Sequence, residues 1–133
     1  MNPVVHFEMP YDDRARIARF YEGVFGWKLQ TFGGEAGSYV LATTVEEDAV
    51  PDAPRGAING GFFPRDPQMP GQHPSVVIGV RDLGASMRAV GEAGGEVLGT
   101  PMQIPGVGQY VAFRDTEGNR LSMLQPVTPA GPR

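Results

Sequence analysis

Apolar and polar positions alternate from Val4 to Met9. Val5, Phe7 and Met9 fall on one side and His6 and Glu8 on the other, the period-two pattern of a strand with unlike faces. Pro10 is expected to end that strand, and Asp12 or Asp13 to cap the helix that follows. Ile17, Phe20, Tyr21 and Val24 then recur at helical spacing, with Arg14, Arg16, Arg19 and Glu22 on the remaining faces. Gly26 stands where a helix takes a left-handed terminating residue, and Trp27 and Leu29 open another alternating run. The order returns later in the chain. Val76, Val77, Ile78 and Val80 predict an apolar strand, Asp82 a cap, Leu83, Met87 and Val90 a helix, Gly94-Gly95 its stop and Glu96-Val97-Leu98 a new strand. Placing Gly26 on Gly95 also carries Asp13 onto Asp82 and His6 onto Ser75. A duplicated supersecondary unit is the simplest source of such a repeat.

The intervening stretches complete each unit. Gly33, Gly34 and Gly37 predict a turn, and Ser38–Thr44 a third strand rich in β-branched and aromatic residues. Val45–Arg55, acidic and carrying Pro51 and Pro54, reads as a surface loop. Gly56–Phe63 (GAINGGFF) reads as a glycine-laden strand, where glycine marks a bulge or the close approach of a ligand or another backbone. The proline-rich run to residue 74 is an extended linker. Gly99–Gly108 is expected as a loop or edge segment, because Pro101 and Pro105 cannot donate to a ladder. Gln109–Arg114 and Arg120–Gln125 predict a hairpin around Asp115–Asn119. Each half is therefore strand–helix–strand–strand–strand. The expected architecture is α+β: two βαβββ modules whose curved mixed sheet surrounds a small-molecule cleft. Module one would span 1–64, the linker 65–74 and module two 75–127, together one domain, with 128–133 a flexible tail.

Composition narrows the function classes. The 133 residues suit one domain burying about two-thirds of its unfolded surface. Net charge is −4 and the basic residues are scattered, which argues against nucleic acid. No run approaches the ~20 apolar residues of a membrane span, and a cytoplasmic protein is the simple expectation. The absence of cysteine excludes disulfides, thiolate nucleophiles and zinc–sulfur sites. Gly106-Val107-Gly108 lacks the helix and lysine of a phosphate loop, and the Arg14, Arg16 and Arg19 cluster suits a solvated helix face.

Three stretches, VHFEMPYDD…RFYEGVFGWKL, VVIGVRDLGASMRAVGEAGGEVL and YVAFRDTEGNRLSMLQP, together resemble the vicinal oxygen chelate superfamily of glyoxalase I, bleomycin-resistance proteins and extradiol dioxygenases. The resemblance spans roughly residues 3–126 and implies the paired βαβββ fold and a homodimer. It implies little about activity, which varies widely within the superfamily. Metal-dependent members take ligands from the first and last strand of each module. At the matching positions this chain has His6, Ser75, Ser122 and the Asn59-Gly60-Gly61 segment, so at most one of four ligands is present.

His6 and Glu8, two apart on a strand, point to the same face and are the candidate catalytic pair. Glu8 would orient or charge the imidazole; the plainer alternative makes His6 a pocket wall. His73 offers a second imidazole for a rearranged His6, Glu8 and His73 set. Trp27, Tyr39, Phe62, Phe63, Tyr110 and Phe113 supply aromatic surface on or next to strands; two or three of them would suit a planar or partly apolar ligand, the others being core. Gly60 and Phe62 would close one end of the cleft, or else mark a bulge. Ser75, Ser122 and Gln125 would hydrogen-bond the ligand or hold water. The expectation is a protein that binds a small organic molecule without a cofactor or standard metal centre, to sequester it or for metal-free catalysis. One alternative is a lyase or dioxygenase-like enzyme with a divalent metal on His6 and non-standard ligands. The other is a structural or partner-binding module with a filled cleft.

Overall fold

The structure is a computed structural model that describes residues 1–32, 38–46, 56–69 and 72–127. The expected turn at 33–37, most of the loop to Arg55 and the tail 128–133 lie outside the described residues. So do residues 70 and 71 of the linker. The chain divides into two compact units, one of residues 5–75 and one of residues 76–133 together with the first four.

Module one runs β1 (Val4–Tyr11), α1 (Arg14–Phe25), β2 (Lys28–Phe32), β3 (Tyr39–Thr43) and β4 (Gly60–Pro64). Its strands lie in the order β2-β3-β4-β1, with β1 parallel to β4 and the other pairs antiparallel. Asp13 is the cap of α1, its carboxylate accepting from Arg16 N at 3.0 Å, and Gly26 ends the helix at φ 72°. β1 continues through Pro10 rather than stopping there. Tyr11 O accepts from Arg65 N, so Tyr11 faces β4 and the donorless nitrogen of Pro10 faces away from that ladder. The glycine-laden strand is shorter than expected and begins at Gly60. Before it, the Asn59 side chain accepts from Thr44 N and Val45 N and closes the end of β3.

One face of this sheet carries Tyr11, Val40, Ala42 and Phe62, all buried, with Phe7, Met9, Ile17, Tyr21, Trp27 and Leu29 packed on them. The α1 pattern is only half realised: Ile17 and Tyr21 pack inward, while Phe20 and Val24 are exposed.

Module two repeats the plan with β5 (Ser75–Gly79), α2 (Leu83–Glu92), β6 (Glu96–Ile104), β7 (Gly108–Arg114) and β8 (Arg120–Pro126), in the order β5-β8-β7-β6. Asp82 caps α2 by accepting from Ala85 N, and Gly94 takes the left-handed turn at φ 97°. Val80, Leu83, Val111, Phe113 and Met123 form its core, joined by Met87 and Val90 of the helix. Each such fully buried side chain contributes about 1.5–3 kcal/mol. The segment after Gly99 is an edge strand whose register shifts between Leu98 and Met102, and that irregularity accommodates Pro101. Asp115 closes the β7–β8 turn by accepting from the backbone of Glu117 and Asn119. The α+β fold of two βαβββ modules is thus the fold of this chain.

Candidate functional site

The pleat of module one sorts its residues strictly. Phe7, Met9, Gly60 and Phe62 point to α1, while His6, Glu8, Tyr39, Leu41, Gly61 and Phe63 share the opposite face. On that face three polar side chains meet. Tyr39 Oη lies 2.9 Å from His6 Nε2 and donates to Glu8 Oε2 at 3.0 Å. Tyr39 comes from β3 and the other two from β1, with β4 between them. The phenol therefore has to cross β4, and it does so above Gly61. A Cβ at residue 61 would stand against the Tyr39 hydroxyl, Cε1 and Cζ, inside the 3.0 Å that real Cβ atoms keep. Phe32, the register partner of Tyr39, packs its ring edge-on at 6.5 Å.

All three polar residues are half-buried. Burial holds the His6 imidazole below its ordinary pKa, and the Glu8 charge pulls it partly back up. The single phenolic proton is directed to Glu8, so His6 Nε2 supplies the proton of the other bond. The neutral imidazole is then the Nε2–H tautomer, with its lone pair on Nδ1. Such a chain can accept a hydrogen bond from a ligand, or move a proton at Nδ1.

Module two has a corresponding but neutral pair. Tyr110 aligns with Tyr39 by register: each lies diagonally from the last-strand position, Ser122 in one module and Gly61 in the other. Ser122 Oγ donates to Tyr110 Oη at 2.6 Å and is buried. Ser75 opens β5 and is half-buried.

The remaining sequence candidates lie elsewhere. Trp27 stacks on Tyr21 at 4.6 Å and touches Phe7 in the helix-side core. Phe62 is fully buried beside Tyr21, and a Cβ at Gly60 would meet the Phe7 ring. Gln125 points toward α2, where its Oε1 accepts from Leu83 N at 2.8 Å and satisfies a free donor of the helix start. None of these four shares the face of His6. His73 is exposed in the coil before β5. Leu41 and Phe32 were not singled out from sequence, although alternation around Tyr39 placed Leu41; Phe63 was among the candidate aromatics, but nothing local set its phase.

The donor set does not fit the divalent metal that metal-dependent superfamily members hold. Of the four corresponding positions only His6 offers an imidazole or carboxylate. Ser75 and Ser122 offer hydroxyls, Ser122 already committed to Tyr110, and at Gly61 the space above the backbone is taken by the Tyr39 phenol. Among the described residues no three His, Asp or Glu side chains gather in metal-binding geometry.

Residues 4–123 match the model of the Glyoxalase/Bleomycin resistance protein/Dioxygenase superfamily. A glyoxylase-like domain-containing protein of Didymella fabae is 33% identical over 115 residues, 84% of each chain. An anthracycline biosynthesis protein of Streptomyces sp. strain C5 is 33% identical over 122 residues; the match takes in 84% of this chain but 42% of that protein. Among solved structures, Streptomyces coelicolor methylmalonyl-CoA epimerase in complex with 2-nitronate-propionyl-CoA superposes with a TM-score of 0.68 at 16% identity, covering 99% of both chains. The hypothetical protein BH1468 of Bacillus halodurans gives 0.69 at 15% identity, over 98% of this chain and 99% of that one. At such identities the likeness is one of fold.

Proposed function

The chain belongs to the glyoxalase/bleomycin resistance protein/dioxygenase superfamily, and we propose that it binds a small organic molecule without a divalent-metal centre. The ligand would meet His6, Glu8 and Tyr39 on the helix-free face of module one. The observation that carries this reading is the Tyr39 phenol lying above Gly61, bonded to both His6 and Glu8. Where the superfamily's metal enzymes would place ligands, this chain has built an organic hydrogen-bonding cluster. Phe32, Leu41 and Phe63 give the cluster an apolar surround, which suits a ligand with a ring or hydrocarbon body. On module two, Tyr110, Ser122 and Ser75 are the hydrogen-bonding groups we assign to ligand contact. The names of two relatives, an anthracycline biosynthesis protein and a CoA-ester epimerase, also speak for organic ligands on this fold.

Binding and sequestration are the primary role in this reading. His6 would be the group that exchanges a proton with the ligand should turnover occur. Elemental analysis after dialysis against trace divalent metals tests it. Metal-free protein that still gains thermal stability from organic ligands is the expected result. One tightly held metal per chain, lost in His6→Ala, would overturn it in favour of a metal-dependent lyase or dioxygenase-like enzyme.

A further inference from the structure

An asparagine followed by glycine can rearrange without an enzyme, because no Cβ keeps the glycine nitrogen from the side-chain carbonyl carbon. The chain has asparagine at positions 2, 59 and 119. Asn2 precedes Pro3, whose nitrogen carries no proton to give up. Asn119 precedes Arg120, and its side chain donates to the Asp115 carboxylate at 2.9 Å. Asn59 precedes Gly60 and is exposed just ahead of β4. Its Oδ1 accepts from Thr44 N at 2.8 Å and from Val45 N at 3.0 Å, and Thr44 Oγ1 donates to the carbonyl of Ile58. Two backbone donors on one oxygen fix which amide atom is which and hold the side chain against the end of β3. Gly60 is paired with Ala42 of β3 and with Phe7 of β1.

We propose that Asn59-Gly60 is a site of spontaneous modification that the folded state latches, and that its isoaspartyl product dismantles the face of His6. In the reaction Gly60 N bonds to Asn59 Cγ, and the side-chain nitrogen leaves as ammonia together with the Gly60 amide proton. Water then opens the five-membered imide. Addition at Cγ leaves aspartate at residue 59; addition at the former main-chain carbonyl leaves isoaspartate, with the main chain rerouted through Cβ and Cγ. Aspartate keeps an oxygen for Thr44 N and Val45 N, in bonds now charge-assisted. Isoaspartate lengthens the main chain by one carbon–carbon bond, about 1.5 Å, directly ahead of β4. Little slack is there to absorb it. The Phe7 ring lies against Gly60 and the Tyr39 phenol against Gly61, each so close that a Cβ would not fit. A β4 that shifts carries Gly61 from beneath the phenol and breaks its bonds to His6 and Glu8. The latch follows from the same contacts: the side chain turns toward Gly60 N only when the end of β3 opens.

The test ages the whole chain in mildly alkaline buffer, folded and in urea, and follows residue 59 by peptide mass and by isoaspartyl methyltransferase labelling. Residue 59 should convert before residue 119, and at least about tenfold faster in urea than in the folded chain. NMR of the His6 ring reports on the site, and His73→Gln removes the second imidazole from the spectrum. The isoaspartyl form, separated by ion exchange, should show the His6 signals moved and a lower denaturant midpoint. Asn59→Asp should keep both close to the wild type. Equal rates in the two states would overturn the latch, and no conversion at residue 59 in urea would overturn the site. An isoaspartyl form with the His6 signals and stability of the unmodified chain, or Asn59→Asp as disruptive as isoaspartate, would overturn the account of main-chain lengthening.

Discussion

Gly61→Ala isolates the feature on which the candidate site depends. The added methyl would stand inside contact distance of the Tyr39 hydroxyl, Cε1 and Cζ, and it projects from a β4 backbone paired on both sides. The ring must give way, and moving it breaks the bonds to His6 at 2.9 Å and Glu8 at 3.0 Å. A neutral hydrogen bond contributes about 0.5–1.5 kcal/mol and one to a charged group about 1.5–3 kcal/mol, so the loss is about 2–4 kcal/mol. Replacing glycine returns about 0.4–1 kcal/mol by restricting the unfolded chain, leaving roughly 1–3 kcal/mol of destabilisation. Denaturant unfolding of Gly61→Ala, Tyr39→Ala and the double variant measures it. Once Tyr39 is removed, the methyl has nothing to displace. Gly61→Ala should then stabilise slightly, by the same roughly 0.4–1 kcal/mol that glycine replacement returns, a coupling of about 2–4 kcal/mol. Additive single effects, or a Gly61→Ala protein with unchanged stability and unchanged His6 NMR signals, would refute the account of Tyr39 crossing β4 above Gly61.

Three further outcomes follow from the same structure. His6 is held below its ordinary pKa by burial, with Glu8 and Tyr39 as its polar neighbours, so on acidification the unfolded chain takes up the proton first. Stability conferred by the neutral imidazole is present above pH ~6.5 and is lost as the pH falls through the lower folded value. Unfolding titrations at pH 7.5 and 5.5 should show that loss in the wild type and a smaller one in His6→Gln. Gln125→Met removes the acceptor for Leu83 N at the start of α2; it should cost about 1–2 kcal/mol in denaturant unfolding while the His6 NMR signals stay in place. Chelation with EDTA should leave the melting temperature unchanged, since no metal site is expected on this donor set; a clear drop would contradict that.

The sequence by itself determined the local plan. Period-two alternation set His6 and Glu8 on one face of β1, the carboxylates of Asp13 and Asp82 started both helices, and Gly26 and the Gly94-Gly95 pair stopped them. These are short-range effects, settled by backbone donors within one turn and by side-chain direction along one strand. The order of elements was enough to read two βαβββ modules, because each strand pattern and turn signal is local as well.

Tertiary structure alone decided what the face of His6 contains. Tyr39 reaches His6 only because β3, β4 and β1 are neighbours in that order, which no spacing along the chain encodes. In GAINGGFF two adjacent residues have no side chain, so the alternation carries no phase there. A shift of one residue exchanges the faces, and Gly60 and Phe62 turned to the helix while Gly61 and Phe63 turned to the site. Trp27 and Gln125 were taken into the helix-side packing by partners that no local pattern announces, Tyr21 about one and a half helix turns away and Phe7 across the module for one, Leu83 for the other. The same holds for Tyr39 and Tyr110. Their correspondence is hidden by unequal loops and appears only when register, not sequence offset, aligns the two modules.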